Sequence, residues 1–217
     1  MQLKDLLEMP TFINRELPIM DMEYTLLFYS SNTIQREFDV LGRRTIGDKE
    51  YWTILKKNKS FAVIGIVGVR REDGIGGLNI IGHVDFKTTI DLSWSKDIPI
   101  DNKNVLQVDG VQIIDKEKMK GFGYNLYSMI VDAGYVIISV TVQYIGGKSL
   151  WKRIAKHSNS NNYKVYIIDN GEVIMKDGKP LTYNGYNYPE NLIWSDEHSS
   201  YNDSKKHVLF VLKKDWH

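Results

Sequence analysis

The feature that most constrains this chain is the stretch 104–169. There a strand pattern, a Gly-x-Gly loop, a helical run, a second strand, a second helical run and a third strand follow in order. Residues 104–115 alternate, with Val105, Gln107, Asp109, Val111 and Ile113 on one face and Leu106, Val108, Gly110, Gln112 and Ile114 on the other. Gly110 inside this strand predicts a bulge or a close backbone approach. Leu126, Tyr127, Ile130 and Val131 then repeat at helical spacing, and Gly134 stands where a C-terminal cap belongs. The β-rich run 135–142 predicts a buried central strand. Gly146 and Gly147 open a second helix over 148–157, with Leu150, Trp151, Ile154 and Ala155 on its inner face and Lys148, Lys152 and Lys156 on its outer one. Residues 163–169 form the third strand.

The remainder is read around this segment. Leu3, Leu6 and Leu7 fit one face of a short helix that Pro10 ends. Residues 24–29, 51–57, 61–70 and 78–89 have strand composition, with a turn at 72–77 and a loop at 97–103 containing Pro99. A polar loop covers 158–162, and 172–183 reads as a hairpin around Asp177-Gly178. Residues 184–205 are loop-like and aromatic-rich, and 207–213 is a last strand. No internal repeat and no domain boundary are visible. The expectation is one domain over 1–217, with a core at 104–169 and an aromatic-rich insertion at 170–205. Its class is mixed α/β, a mostly antiparallel central sheet with flanking helices.

Composition narrows function by exclusion. The 217 residues include no cysteine, so disulfides, thiolate metal sites and cysteine nucleophiles are excluded. A net charge of +1 gives no global field toward nucleic acid or an acidic membrane. The opening Met1-Gln2-Leu3-Lys4-Asp5-Leu6-Leu7-Glu8 is too broken by charge for a signal-peptide core, and no run approaches the ~20 apolar residues of a membrane helix. A soluble, cytoplasmic protein is the expectation.

The chemistry-bearing element is the loop at 116–123. Gly121 and Gly123 let the main chain approach an anion, Lys118 and Lys120 add positive charge, and the following helix N-terminus presents free N–H groups. A pyrophosphate is the natural guest, although a bare Gly-x-Gly also serves as a simple helix-start turn. The Rossmann fingerprint is absent, since Leu126 stands in place of the third glycine, and no Walker loop is present.

Lys118-Met119-Lys120-Gly121-Phe122-Gly123, with the helix, strand, helix and strand that follow, resembles the GNAT superfamily of N-acetyltransferases. That family's loop reads Arg/Gln-x-x-Gly-x-Gly/Ala between its fourth strand and third helix. The resemblance covers 105–169 directly and the strands over 51–95 loosely, and it extends to GNAT-like proteins encoded by bacteriophages. It implies a GNAT-like acyl-CoA N-acyltransferase fold with acetyl-CoA as co-substrate. The backbone of Met119, Lys120, Gly121, Phe122, Gly123 and Tyr124 would hold the CoA pyrophosphate, with Lys118 in the place of the family's Arg or Gln. Strands 105–114 and 135–142 would splay apart around pantetheine, and a backbone N–H near Val111 would polarise the thioester carbonyl. The family often carries a tyrosine that protonates the departing thiolate. Here that place falls to Trp151, whose indole cannot do so, and Tyr144 is the substitute. The implied activity is acetyl transfer to an unidentified amine. The alternative is a non-catalytic GNAT-fold phage protein that binds and modulates a host or structural partner, acting in the host cytoplasm.

Other residues admit plainer roles. His83-Val84-Asp85 places an imidazole and a carboxylate on one strand face, two potential metal ligands with no visible third, so no metal is expected. His83, Asp85 and Asp109 are candidates for the base that deprotonates the amine. A solvated or hydrogen-bonded role is the simpler reading of each. Lys148, Lys152, Arg153 and Lys156 form a basic face suited to the CoA 3′-phosphate, to nucleic acid, or simply to water. Tyr183, Tyr186, Tyr188, Trp194 and Tyr201 suit either recognition or a satellite core. Ser195, Asp196 and His198 lack the spacing and context of a triad.

Overall fold

The alternating runs fold as strands wherever a face can be buried. The structure is a computed structural model that describes residues 12–13, 28–70, 74–87, 89–113, 121–139, 143–194 and 208–215. The expected short helix around Leu3 to Leu7 and the 24–27 part of the first strand lie outside these residues. The architecture is mixed α/β, with a large, mostly antiparallel sheet and few helices. The chain divides into two units. One is drawn from Ile19–Thr89 and Val108–Tyr135, the other from Met1–Pro18, Ile90–Gln107 and Val136–His217.

In the first unit, β2 (Phe28–Ser30) leads into α1 (Ser31–Glu37), which is capped by the Ser30 hydroxyl accepting from the Thr33 N–H at 3.2 Å. Strands β3 (Phe38–Ile46), β4 (Lys49–Lys56), β5 (Phe61–Val69) and β6 (Gly76–Phe86) form an antiparallel meander. The far edge of β6 pairs with β2 at one end and with β7 (Val105–Ile113) at the other. One sheet face carries Ile54, Val63, Leu78 and Ile80, packed with Ile34 of α1 and with Phe38. The opposite face carries α2 (Phe122–Asp132), which seats Phe122 against Tyr51 at 4.9 Å between ring centroids. Gly42 of β3 makes room for this helix: a Cβ there would lie 3.0 Å from Met129 Cγ. As expected, Gly134 follows the helix with a positive φ of 94°, and its N–H donates to Val131 O.

In the second unit, the first residues of β7 run parallel to β8 (Val136–Ile138). Beyond β8 the order continues antiparallel through β14 (Leu209–Lys214), β10 (Tyr163–Asp169) and β11 (Glu172–Val173). A parallel neighbour requires a crossover, and α2 lies in the segment between β7 and β8. Of the expected strand over 135–142, Val136–Ile138 is strand, and 140–142 lie outside the described residues. Just after β8 the Ser139 N–H still donates to Phe210 O, but the Ser139 hydroxyl, not a backbone carbonyl, accepts from Phe210 N–H at 2.9 Å. At Ser139 a side chain thereby takes the place of a backbone acceptor.

Helix α3 (Ile145–His157) buries Trp151, Ile154 and Ala155, whereas Leu150 is only half-buried. β12 (Met175–Lys176) and β13 (Lys179–Pro180) make the anticipated hairpin, with Asp177 and Gly178 both at positive φ. The expected loop at 97–103 contains two 3-10 turns, the end of Ser93–Asp97 and Asn102–Asn104. α4 (Glu190–Ile193) is one short turn. β1 (Phe12–Ile13) pairs in parallel with β9 (Gln143–Tyr144).

Candidate functional site

The most informative local geometry is on β7. Asp85 pairs with Gly110 and Phe86 with Val108, so Asp109 is an extra residue, a β-bulge. The bulge breaks the strict alternation expected from the sequence. Val108 and Val111 oppose Phe86 and Val84 and so share a face, whereas parity alone would separate them. Gly110 sits inside the bulge, as anticipated. Asp109 itself is exposed.

The ladder between β7 and β8 has three pairs, Val105 with Val136, Leu106 with Ile137 and Gln107 with Ile138. From Val108 onward, among the described residues, β7 is paired through its β6 edge alone. Among the described residues, the other edge of β7 has no ladder partner next to the bulge.

Gly121 is the N-cap of α2, with φ 102° and ψ −4°, a conformation open to glycine and costly for side chains bearing a Cβ. As a glycine, the N-cap residue brings no side chain of its own to cap this end. Phe122 is buried, Gly123 and Tyr124 are half-buried in the first turn, and Gly121 O accepts from Asn125 N–H. The helix is braced by Arg44 of β3, which donates to Asn125 Oδ1 at 2.9 Å and to Asp132 Oδ2 at 3.2 Å. Tyr127 is buried on the same helix, and that burial pushes its phenol well up. Lys118, Met119 and Lys120 lie outside the described residues.

The candidate bases are separated from the helix terminus by the sheet. His83 and Asp85 pair with Val63 and Phe61 on the α1 face. Val111 lies with Val84 on the α2 face. His83 Nδ1 is 3.3 Å from Asp85 Oδ2, and its ring lies 5.0 Å from that of Phe61. Among the described residues no group of three His, Cys, Asp or Glu is arranged to hold a metal. The Tyr144 backbone pairs with Ile13, and its side chain lies outside the described residues.

Two residue clusters take structural roles. Glu190 receives Lys152 at 2.5 Å and Lys148 at 3.7 Å, so two lysines of the basic α3 face tie down the insertion. The hydrogen bond from Lys152 holds the Glu190 carboxyl below its usual range. Tyr183 and Trp194 pack with Trp151 around Phe210, while Tyr186 is 68% exposed. The satellite-core reading thus holds for Tyr183 and Trp194. Tyr201 and the Ser195, Asp196 and His198 group lie outside the described residues. Sequence reasoning missed Arg44, Asn125 and Tyr51 as the braces of α2, because nothing local links residues so far apart in the chain. No helix among the described residues is long and apolar enough to cross a membrane. No family model, curated protein or solved structure matches this chain.

Proposed function

We propose that this chain is a GNAT-type N-acyltransferase that moves an acetyl group from acetyl-CoA to an amine. The observation that carries the reading is the behaviour of β7, which among the described residues pairs with its parallel neighbour as far as Gln107 and bulges at Asp109. A strand that stops pairing beside a bulge offers backbone N–H groups to a ligand. In the GNAT family, pantetheine pairs along such an edge, and a backbone N–H there polarises the thioester carbonyl. The order β7, β8, β14, β10, with β7 and β8 parallel, also agrees with that family's plan.

Residues on α2 fit the other end of the cofactor. Gly121 presents main chain without a Cβ at the helix N-terminus, where partial positive charge favours pyrophosphate. Lys118, Met119 and Lys120 precede it. In the reaction the amine nitrogen forms a bond to the acetyl carbon and gives up a proton to a base. The carbon–sulfur bond breaks, and the CoA thiolate leaves and is protonated. The N–H near Val111 stabilises negative charge developing on the thioester oxygen. His83 and Asp109 are the candidate bases, and Tyr144 is the candidate acid.

A second reading is favoured by one observation. Trp151, standing where the family often has its tyrosine acid, is buried in an aromatic cluster and cannot donate a proton. A non-catalytic relative that binds a protein partner would be built this way. Release of CoA thiol from acetyl-CoA, measured against a panel of primary amines, separates the two. Amine-dependent release supports the enzyme, and binding of acetyl-CoA without release supports the non-catalytic relative.

A further inference from the structure

We propose that Asp85 is a positioning residue that holds His83 as the general base for the amine acceptor. This rests on the acyl-transfer reading and adds to it the identity of the base and of the group that sets its tautomer. The two side chains stand two residues apart on β6 and so share a face. Asp85 Oδ2 lies 3.3 Å from His83 Nδ1. The imidazole is held against Phe61, and its side chain is 12% exposed while that of Asp85 is 55% exposed. The imidazole is thus fixed within the sheet surface, and the carboxylate reaches water.

Their register places both beside the bulge. His83 opposes Gln112, and Asp85 opposes Gly110, immediately after the extra residue Asp109. A Cβ on Gly110 would stand 3.9 Å from Asp85 Oδ2, so the carboxylate lies over the bulged backbone itself. Asp85 flanks the imidazole on β6, and Lys56 on β4 lies across Phe61, 5.9 Å from that ring, where it is engaged by Glu37. Asp109 is on β7.

A carboxylate at Nδ1 favours the tautomer with the proton on Nδ1 and the lone pair on Nε2. Free histidine prefers the opposite tautomer, so the arrangement has a signature. In the reaction Nε2 takes the proton that the amine loses as its nitrogen bonds to the acetyl carbon. The imidazolium so formed returns the proton to solvent or to the departing thiolate. The acceptor would approach from the α1 face, opposite the face that carries α2.

Two readouts test this. Nitrogen-15 NMR of the imidazoles, assigned with His83→Gln, should show neutral His83 protonated on Nδ1 in the wild type. Asp85→Ala should move that proton to Nε2. Amine-dependent CoA release should fall at least tenfold in Asp85→Ala and further in His83→Gln, with partial recovery in Asp85→Glu. The acetyl-CoA dissociation constant should be unchanged in all three. Protonation of His83 on Nε2 in the wild type, or a tautomer indifferent to Asp85→Ala, overturns the proposal. So does full turnover in His83→Gln. If wild-type protein fails to bind acetyl-CoA, the acyl-transfer reading falls and the base role falls with it, whichever tautomer is found. If binding and release are intact but His83 is dispensable, only the present inference falls.

Discussion

Trp151 lies flat on Phe210, with ring centroids 5.3 Å apart and planes 17° from parallel. Phe210 belongs to β14, and Trp194 stacks on the same ring at 5.0 Å. The indole is therefore a wedge between α3 and the sheet. Trp151→Ala should destabilise the fold by about 3–5 kcal/mol, the range for deleting a buried large aromatic side chain. Trp151→Tyr should cost less. Chemical denaturation checks both, and a Trp151→Ala variant of native stability that has lost turnover would make the indole part of an active site.

Tyr183 tests the aromatic cluster differently. Its side chain is buried, and among the described residues its hydroxyl finds no hydrogen-bond partner. Burial, with Glu190 adding to it, pushes its phenol up to about 12. Tyr183→Phe should remove an unsatisfied polar atom and leave the packing intact. The expected gain is about 1 kcal/mol, a rise of about 2–4 °C in melting temperature. A loss of stability would mean that the hydroxyl is engaged.

Glu37 sets a pH dependence. A hydrogen bond from Lys56, then one from Arg36, lowers its carboxyl from 4.5 to about 2. Because the folded value is the lower one, the stabilisation is fully present above the unfolded value and is lost as pH falls from about 4.5 toward 2. Glu37→Gln should flatten this part of the stability profile, lowering stability near neutral pH and leaving the two proteins alike near pH 2. Melting curves from pH 6 to 2 for both proteins check it, and parallel profiles would contradict it.

The aromatic insertion has two kinds of residue. Trp194 is buried, and Tyr186 projects into solvent. Trp194→Ala should lower the melting temperature by several degrees, whereas Tyr186→Ala should alter stability by no more than about 0.5 kcal/mol. If Tyr186→Ala nevertheless weakens turnover or partner capture, the exposed ring contributes to recognition. Thermal melts beside the CoA-release assay make the comparison.

Legibility followed burial. β5 and β6 could be read from their β-rich composition between turn residues, and β7 and α2 because each leaves a period in the sequence. The helix α1 and strand β3 could not. α1 has seven residues with only Ile34 buried, and β3 is an edge strand with a bulge at Leu41 and no clean alternation. In β8 the composition of 135–142 is strand-like throughout and gave no sign that the Ser139 side chain replaces a backbone acceptor toward Phe210. In the candidate site, Gly110 and Gly121 were legible because each meets a backbone requirement. The shift of Val111 onto the face of Val108 was not, since a bulge inserts one residue without changing the local composition.

The most direct measurement of the central claim is calorimetric titration of acetyl-CoA into wild-type protein and into Gly123→Val, with melting curves on both. Val outranks Gly within helices, so this substitution in the first turn of α2 should leave the fold intact. The account predicts saturable binding to the wild type, with about 2.7 kcal/mol of stabilisation at a hundredfold excess over Kd, and loss of both in the folded variant. No binding by the wild type, or equal affinity in Gly123→Val, would contradict it.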